Sequence, residues 1–198
     1  ENNGEKITTL FSNKAKPLVD RYKFIKGFSE GELDFYSFKK NNETKSTLKI
    51  YDFKLKELPI LTKVLTLASL QGIADLLSGE GIRFSEFEMN FTNKKDLMTI
   101  DEIYAIGPAI SILMEGYIEK DDLISLRGTL VPATTINKTI SSIPLIGNIL
   151  VGKKVGEGVF GVSFKIKGPP KDLETSVNPI KTLTPRFITR TLEKIKKN

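Results

Sequence analysis

Two of the side chains most often used for chemistry are missing from this 198-residue chain: it has no cysteine and no histidine. Without Cys there is no thiolate nucleophile, no disulfide, no iron–sulfur cluster and no structural zinc site. Without His the commonest general base and the commonest transition-metal ligand are gone, and triads of the usual kind cannot be assembled. Carboxylates remain, so a hydrolase working with Asp and Glu alone is the enzymatic alternative left open. The expectation from residue types is a protein that is not an enzyme, with no catalytic residues, no metal and no cofactor.

Charged groups offer binding rather than catalysis. The 30 Lys and Arg exceed the 24 Asp and Glu by enough for a net charge of +6 and a pI near 9.3. Acidic residues interleave throughout and no stacking-platform motif is present, which suits anionic lipid headgroups better than nucleic acid. Two segments carry the basic groups of interest. Gly152–Gly158 holds Lys153 and Lys154 in a glycine-rich loop, which suits either a phosphate or a plain turn. Pro185 to about Lys196 reads as a basic amphipathic helix with Phe187, Ile188, Leu192 and Ile195 inward. Its Arg186, Arg190 and Lys194 suit a membrane surface, although a packed helix with a solvated face is the commoner meaning of such a pattern.

These groups need elements to hold them. The chain is 39% hydrophobic and 27% charged, ordinary for a globular domain with its own core. Residues 1–11 read as polar and frayed. Residues 12–26 read as a helix capped by Ser12 or Asn13, with Leu18, Tyr22 and Ile25 as its stripe. From Gly27 the period changes to two. Glu32–Phe38 and Leu48–Leu55 form a hairpin around the polar turn Lys39–Ser46, with Leu33 and Phe35 on one face and Tyr36 and Phe38 on the other. Four further strands, Ile82–Phe91, Leu97–Ile106, Ile110–Ile118 and Leu123–Leu130, follow at meander spacing. Residues Val159–Lys167 alternate without a break and end at Gly168-Pro169-Pro170. Leu173–Val177 is a short strand stopped by Asn178-Pro179. Thr134–Ser142 is a short helix.

Between the hairpin and the meander lies Pro59–Leu77, read as one continuous helix. Its apolar residues cover most of the circumference, and Lys63 and Asp75 are its only charges. Three roles stay open: buried core helix, cap on an apolar groove, or membrane-inserted segment. A central Lys or Asp would cost the last about 2.5–3.5 kcal/mol. The fold class is α+β, mainly β: a curved antiparallel sheet, open as a trough, with the apolar helix and the basic C-terminal helix packed on it.

Several ordered blocks carry a resemblance. They are Gly128-Thr129-Leu130-Val131-Pro132-Ala133, Ile136-Asn137, Ile143 through Gly152, Gly156-Glu157-Gly158-Val159-Phe160-Gly161-Val162, Phe164, Gly168-Pro169 and Val177-Asn178-Pro179. Earlier come Asp52-Phe53, Leu58-Pro59, Leu67-Ala68-Ser69-Leu70, Gly72 and Gly79 through Phe84. In order and spacing these resemble the C-terminal domain of the bacterial AsmA-like family (YhdP and TamB types) across most of residues 27 to 190. The chain departs from the family at Pro185-Arg186, where Pro-Gly is usual, and in the Lys- and Asn-rich segment Lys39–Ser46.

The resemblance implies one AsmA-like C-terminal domain over 1–198, with its sheet over 27–180 and its last helix over 183–198. It further implies the end module of a bridge-like protein, anchored in the inner membrane and crossing the periplasm of a Gram-negative-type bacterium. Such a module moves phospholipid between inner and outer membrane without altering it. Its partners would be phospholipid, the bacterial membrane and possible envelope proteins. A structural module for outer-membrane biogenesis that binds a protein partner is the alternative. The lipid-groove candidates are Phe35, Ile50, Phe53, Phe84, Phe87, Met89, Phe91, Phe160, Phe164 and Ile166; the same alternation suits, and more often means, an ordinary core in which they meet helices. The candidates on the apolar cap helix are Leu61, Val64, Leu67 and Leu70.

Overall fold

The computed structural model describes residues 4–21, 27–132 and 161–180. Among the described residues nine strands form one antiparallel sheet in which each pairs with its sequence neighbours, β1 at one edge and β9 at the other. They are β1 (Glu5–Ser12), β2 (Ser29–Lys40), β3 (Glu43–Leu55), β4 (Ile82–Lys94), β5 (Leu97–Ile106), β6 (Ile110–Glu119), β7 (Leu123–Pro132), β8 (Gly161–Gly168) and β9 (Glu174–Ile180). Short helices interrupt the meander: α1 (Lys16–Val19), α2 (Pro59–Leu67) and α3 (Gln71–Ser78). The mainly β, open antiparallel sheet expected from alternation is the observed architecture.

Tight turns set the registers. Lys40 pairs with Glu43 and Lys94 with Leu97, leaving two-residue connections in which Asn41 and Lys95 take positive φ. Such backbone twist matches the strands it joins. The β2–β3 turn is therefore Asn41-Asn42, and the Lys39–Ser46 segment expected as turn is mostly strand.

Four sequence expectations are corrected. Residues 5–12 are edge strand β1, fully paired with β2, and not frayed. The helix expected over 12–26 is, among the described residues, the four-residue α1. The strand after Leu173 continues through Asn178-Pro179 to Ile180; Pro is tolerated there because β9 is an edge. The continuous helix over Pro59–Leu77 is two helices. Leu70 N–H donates to Leu65 O at 2.8 Å and Ser69 N–H to Thr66 O at 3.0 Å, while Ser69 takes φ +59°. That is the pattern of a Schellman helix end, which normally puts Gly in the left-handed position. Ser69 gives no such signal in the sequence. Among the described residues no helix is long and apolar enough to cross a membrane.

The sheet is strongly curved. Only Lys56, Glu57 and Leu58 join β3 to α2, yet α2 packs beside β9 at the far side of the sheet, with Lys63 Nζ donating to Leu173 O at 3.4 Å. One short helix thus meets strands from both halves of the sheet, as a curved face allows. The helices fill the concavity from one end: Leu61, Val64, Leu65, Ala74 and Leu77 share one core with Leu33, Ile50, Ile112, Leu130 and Phe164.

Candidate functional site

The strand registers align the concave-face residues in transverse rows. One row runs Ser12, Leu33, Ile50, Phe87, Ala105, Ile112, Leu130, Val162, Pro179. The next runs Leu10, Phe35, Leu48, Met89, Ile103, Met114, Gly128, Phe164, Val177. A third runs Thr8, Ser37, Ser46, Phe91, Ile100, Gly116, Leu126, Ile166, Thr175. Because strand side chains alternate faces, each row is a continuous stripe across the sheet. One bulge in β5, at Asp101–Glu102, keeps the stripes in line; it shifts the register both against β4, at Asn90/Phe91, and against β6, between Ile100 and Ile103. Without it the apolar residues of β5 would change face halfway along.

The middle row contains no polar side chain. Gly128 is its one gap, and the Phe164 ring leans into it: a Cβ added at Gly128 would lie 2.6 Å from Phe164 Cζ. The row nearest the helices is mostly buried. In the middle row Phe35, Leu48, Met89 and Met114 are half-buried, and in the third Phe91 and Leu126 are too.

Through most of the sheet the opposite face is polar and organised by cross-strand pairs. Lys49 meets Glu88 at 3.4 Å and Arg127 meets Glu115 at 2.8 Å, each with its register partner. Thr47 donates to Asn90 Oδ1 at 2.7 Å. Exposed pairs of this kind add little stability, about 0–1 kcal/mol each. Their effect is on register and on which face is wet. Near β5–β7 this face is closed as well, with Tyr104, Ser111 and Val131 all buried.

The sequence-expected groove residues divide into two sets. Ile50, Phe53, Phe84, Phe164 and Ile166 are buried in the protein's own core. Phe28, Phe53 and Phe84 form a continuous stack with centroids 5.3 Å apart at each step. Phe35, Phe87, Met89 and Phe91 are only half-buried and so present apolar surface. Phe160 lies outside the described residues, as do Arg186, Arg190 and Lys194, the Gly152–Gly158 loop, the Thr134–Ser142 helix and the C-terminal helix. On the helix pair, Leu61 and Val64 are buried and Leu70 packs partly against the core. Leu67 does not face the sheet: it is 48% exposed, lying outside the stripe of α2 that buries Leu61, Val64 and Leu65.

Residues that the sequence did not single out complete the stripes. Leu48, Ile103, Met114, Leu126 and Val177 belong to the same rows. Their signal was available as alternation within each strand, but only register places them side by side. The chain matches no family model, no curated protein and no solved structure.

Proposed function

We propose that this chain is a non-enzymatic lipid-handling module whose concave face receives phospholipid acyl chains. The middle row carries the proposal: an apolar stripe across the nine described strands, its one gap at Gly128 covered by the Phe164 ring, and half-buried at Phe35, Leu48, Met89 and Met114. An acyl chain laid on such a stripe gains about 0.8 kcal/mol for each CH₂ it buries. Away from β5–β7 the polar opposite face keeps the outside of the sheet in water. Directionality follows from the helices, which fill one end of the concavity and leave the end toward the β2–β3, β4–β5 and β6–β7 turns for lipid. The resemblance to the AsmA-like family adds the setting: an end module in the periplasm, moving phospholipid between inner and outer membrane.

Photo-crosslinkers at Met89 and Phe91 test the proposal. In cells they should capture phospholipid, and crosslinkers on the opposite face, at Glu88 of the same strand and Lys49 of β3, should capture far less. Native mass spectrometry of the purified chain should show co-purified diacyl lipid at unchanged lipid mass. Equal capture from both faces, or none from the concave face of folded protein, would sink the lipid reading.

A further inference from the structure

We propose that the free edge of β1 pairs antiparallel with β1 of a second copy of this chain, about a two-fold axis at Thr9. The proposal concerns the edge and is independent of what fills the concavity. β1 ends the sheet, so the outward backbone groups along its eight residues have no ladder partner among the described residues. Exposed edges are usually blunted by Pro, a bulge, charge or shortness. The other edge is blunted in this way, since β9 carries Pro179. β1 has no Pro, its two charges, Glu5 and Lys6, sit together at its start, and its register with β2 runs unbroken from Glu5↔Lys40 to Ser12↔Leu33.

Side chains point to the same conclusion. Ile7 and Phe11 are 62% and 70% exposed, and they stand on the face that elsewhere carries ion pairs. Phe38 and Tyr36 lie beside Ile7 and Thr9 in register, widening an apolar patch at the rim of the sheet.

The pattern of β1 is complementary to itself. With Thr9 opposite Thr9, Ile7 meets Phe11 of the other copy twice, Leu10 meets Thr8, and Lys6 meets Ser12. The Ile7–Phe11 pairs then join apolar to apolar and Thr9–Thr9 joins hydroxyl to hydroxyl; Leu10–Thr8 and Lys6–Ser12 are mixed pairs, and no like charges stand opposite each other. Glu5 is already held by Lys40 of its own chain at 2.8 Å. A two-fold axis perpendicular to the sheet also keeps each face on its own side, so the concave faces of the two copies become continuous. Such isologous pairing is the commonest geometry for soluble oligomers. One strand pair buries less than the roughly 1,200 Å² of a standard interface, so the dimer is weak and concentration-dependent.

The test uses the 198-residue chain. Sedimentation velocity from about 5 to 500 µM should show a reversible monomer–dimer equilibrium, a range chosen for an interface below standard size. Ile7→Lys with Phe11→Lys places like charges opposite and should weaken dimerisation at least tenfold. Ile7→Lys with Phe11→Glu places opposite charges in the proposed register and should restore it. Since the chain has no cysteine, Thr9→Cys should give a disulfide-linked dimer under mild oxidation, whereas Glu5→Cys should not. Circular dichroism checks that each variant stays folded. A chain that remains monomeric throughout overturns the proposal. So does a dimer unaffected by the double-lysine variant, a Lys/Glu variant as weak as it, or cross-linking at residue 5 equal to that at residue 9.

Discussion

The Phe53 ring lies edge-on to Phe87, 6.4 Å between centroids, although the register partner of Phe87 is Ile50. Residues 50 and 53 differ in parity and should point to opposite faces. Both are buried in the same core. Asp52, with φ +48°, reverses the alternation between them. Glu30 and Gly31, at φ +66° and +86°, do the same in β2. The Phe28–Phe53–Phe84 stack depends on this line of reversals, and it seals the helix end of the concavity.

Asp52→Val should therefore cost about 1–2 kcal/mol, since a β-branched residue resists the left-handed region. Asp52→Gly should leave stability within about 0.5 kcal/mol. Urea midpoints of the two variants decide this. If both behave alike, the backbone at Asp52 does not hold the aromatic stack in place.

Gly128→Val should destabilise by about 1–3 kcal/mol through overpacking. Its Cβ would meet Leu113 O and Phe164 Cζ, both at 2.6 Å. Adding Phe164→Ala removes one of the two clashes. The double variant should lose clearly less than the sum of the singles, as expected for residues in contact. Additive losses would show that the Phe164 ring does not occupy the space above Gly128.

The two faces of α2 should respond oppositely to charge. Val64 is 1% exposed, and Val64→Asp should cost about 3 kcal/mol or more as an unpaired buried charge. Leu67→Asp should change stability by no more than about 0.5 kcal/mol. Thermal or urea unfolding of the pair reads the outcome directly. A large loss at Leu67 would place α2 in a different rotation on the sheet.

Stability should fall at alkaline pH. Burial raises the Tyr51 phenol above its ordinary range, with nearby Glu86, Asp34 and Glu88 adding to the shift and Lys49 opposing it. A hydrogen bond from Lys40 to Glu5, and the attraction between them, raise the Lys40 ammonium. For both groups the folded value lies above the unfolded one. Their contribution is thus complete below about pH 10 and is lost as pH rises through the folded values. Tyr51→Phe should flatten the fall in urea midpoint above pH 10. An unchanged slope would mean that Tyr51 ionises no differently in the folded chain.

Strands β2 to β8 were legible in the sequence because alternation is a local property. A strand with one face in a core writes its burial every second residue, and the turns mark their own places with Asn, Asp, Lys and Gly. The missing His and Cys likewise restricted the chemistry from composition alone. β1 was not legible, because an edge strand with Ile7 and Phe11 on its outer face shows no inward apolar stripe. Its strand state comes from pairing with β2. Nor was the break at Ser69, where tertiary packing of Leu65 and Leu70 supports a left-handed residue that is not glycine. Alternation in β3 also misplaces Phe53, since the reversal at Asp52 is shared with a neighbouring strand. The stripes themselves belong wholly to tertiary structure. Each strand specifies which of its residues share a face. Only the register of the nine described strands, adjusted by the bulge in β5, decides which residue of one strand lies beside which of the next, and so whether apolar positions merge into a continuous surface.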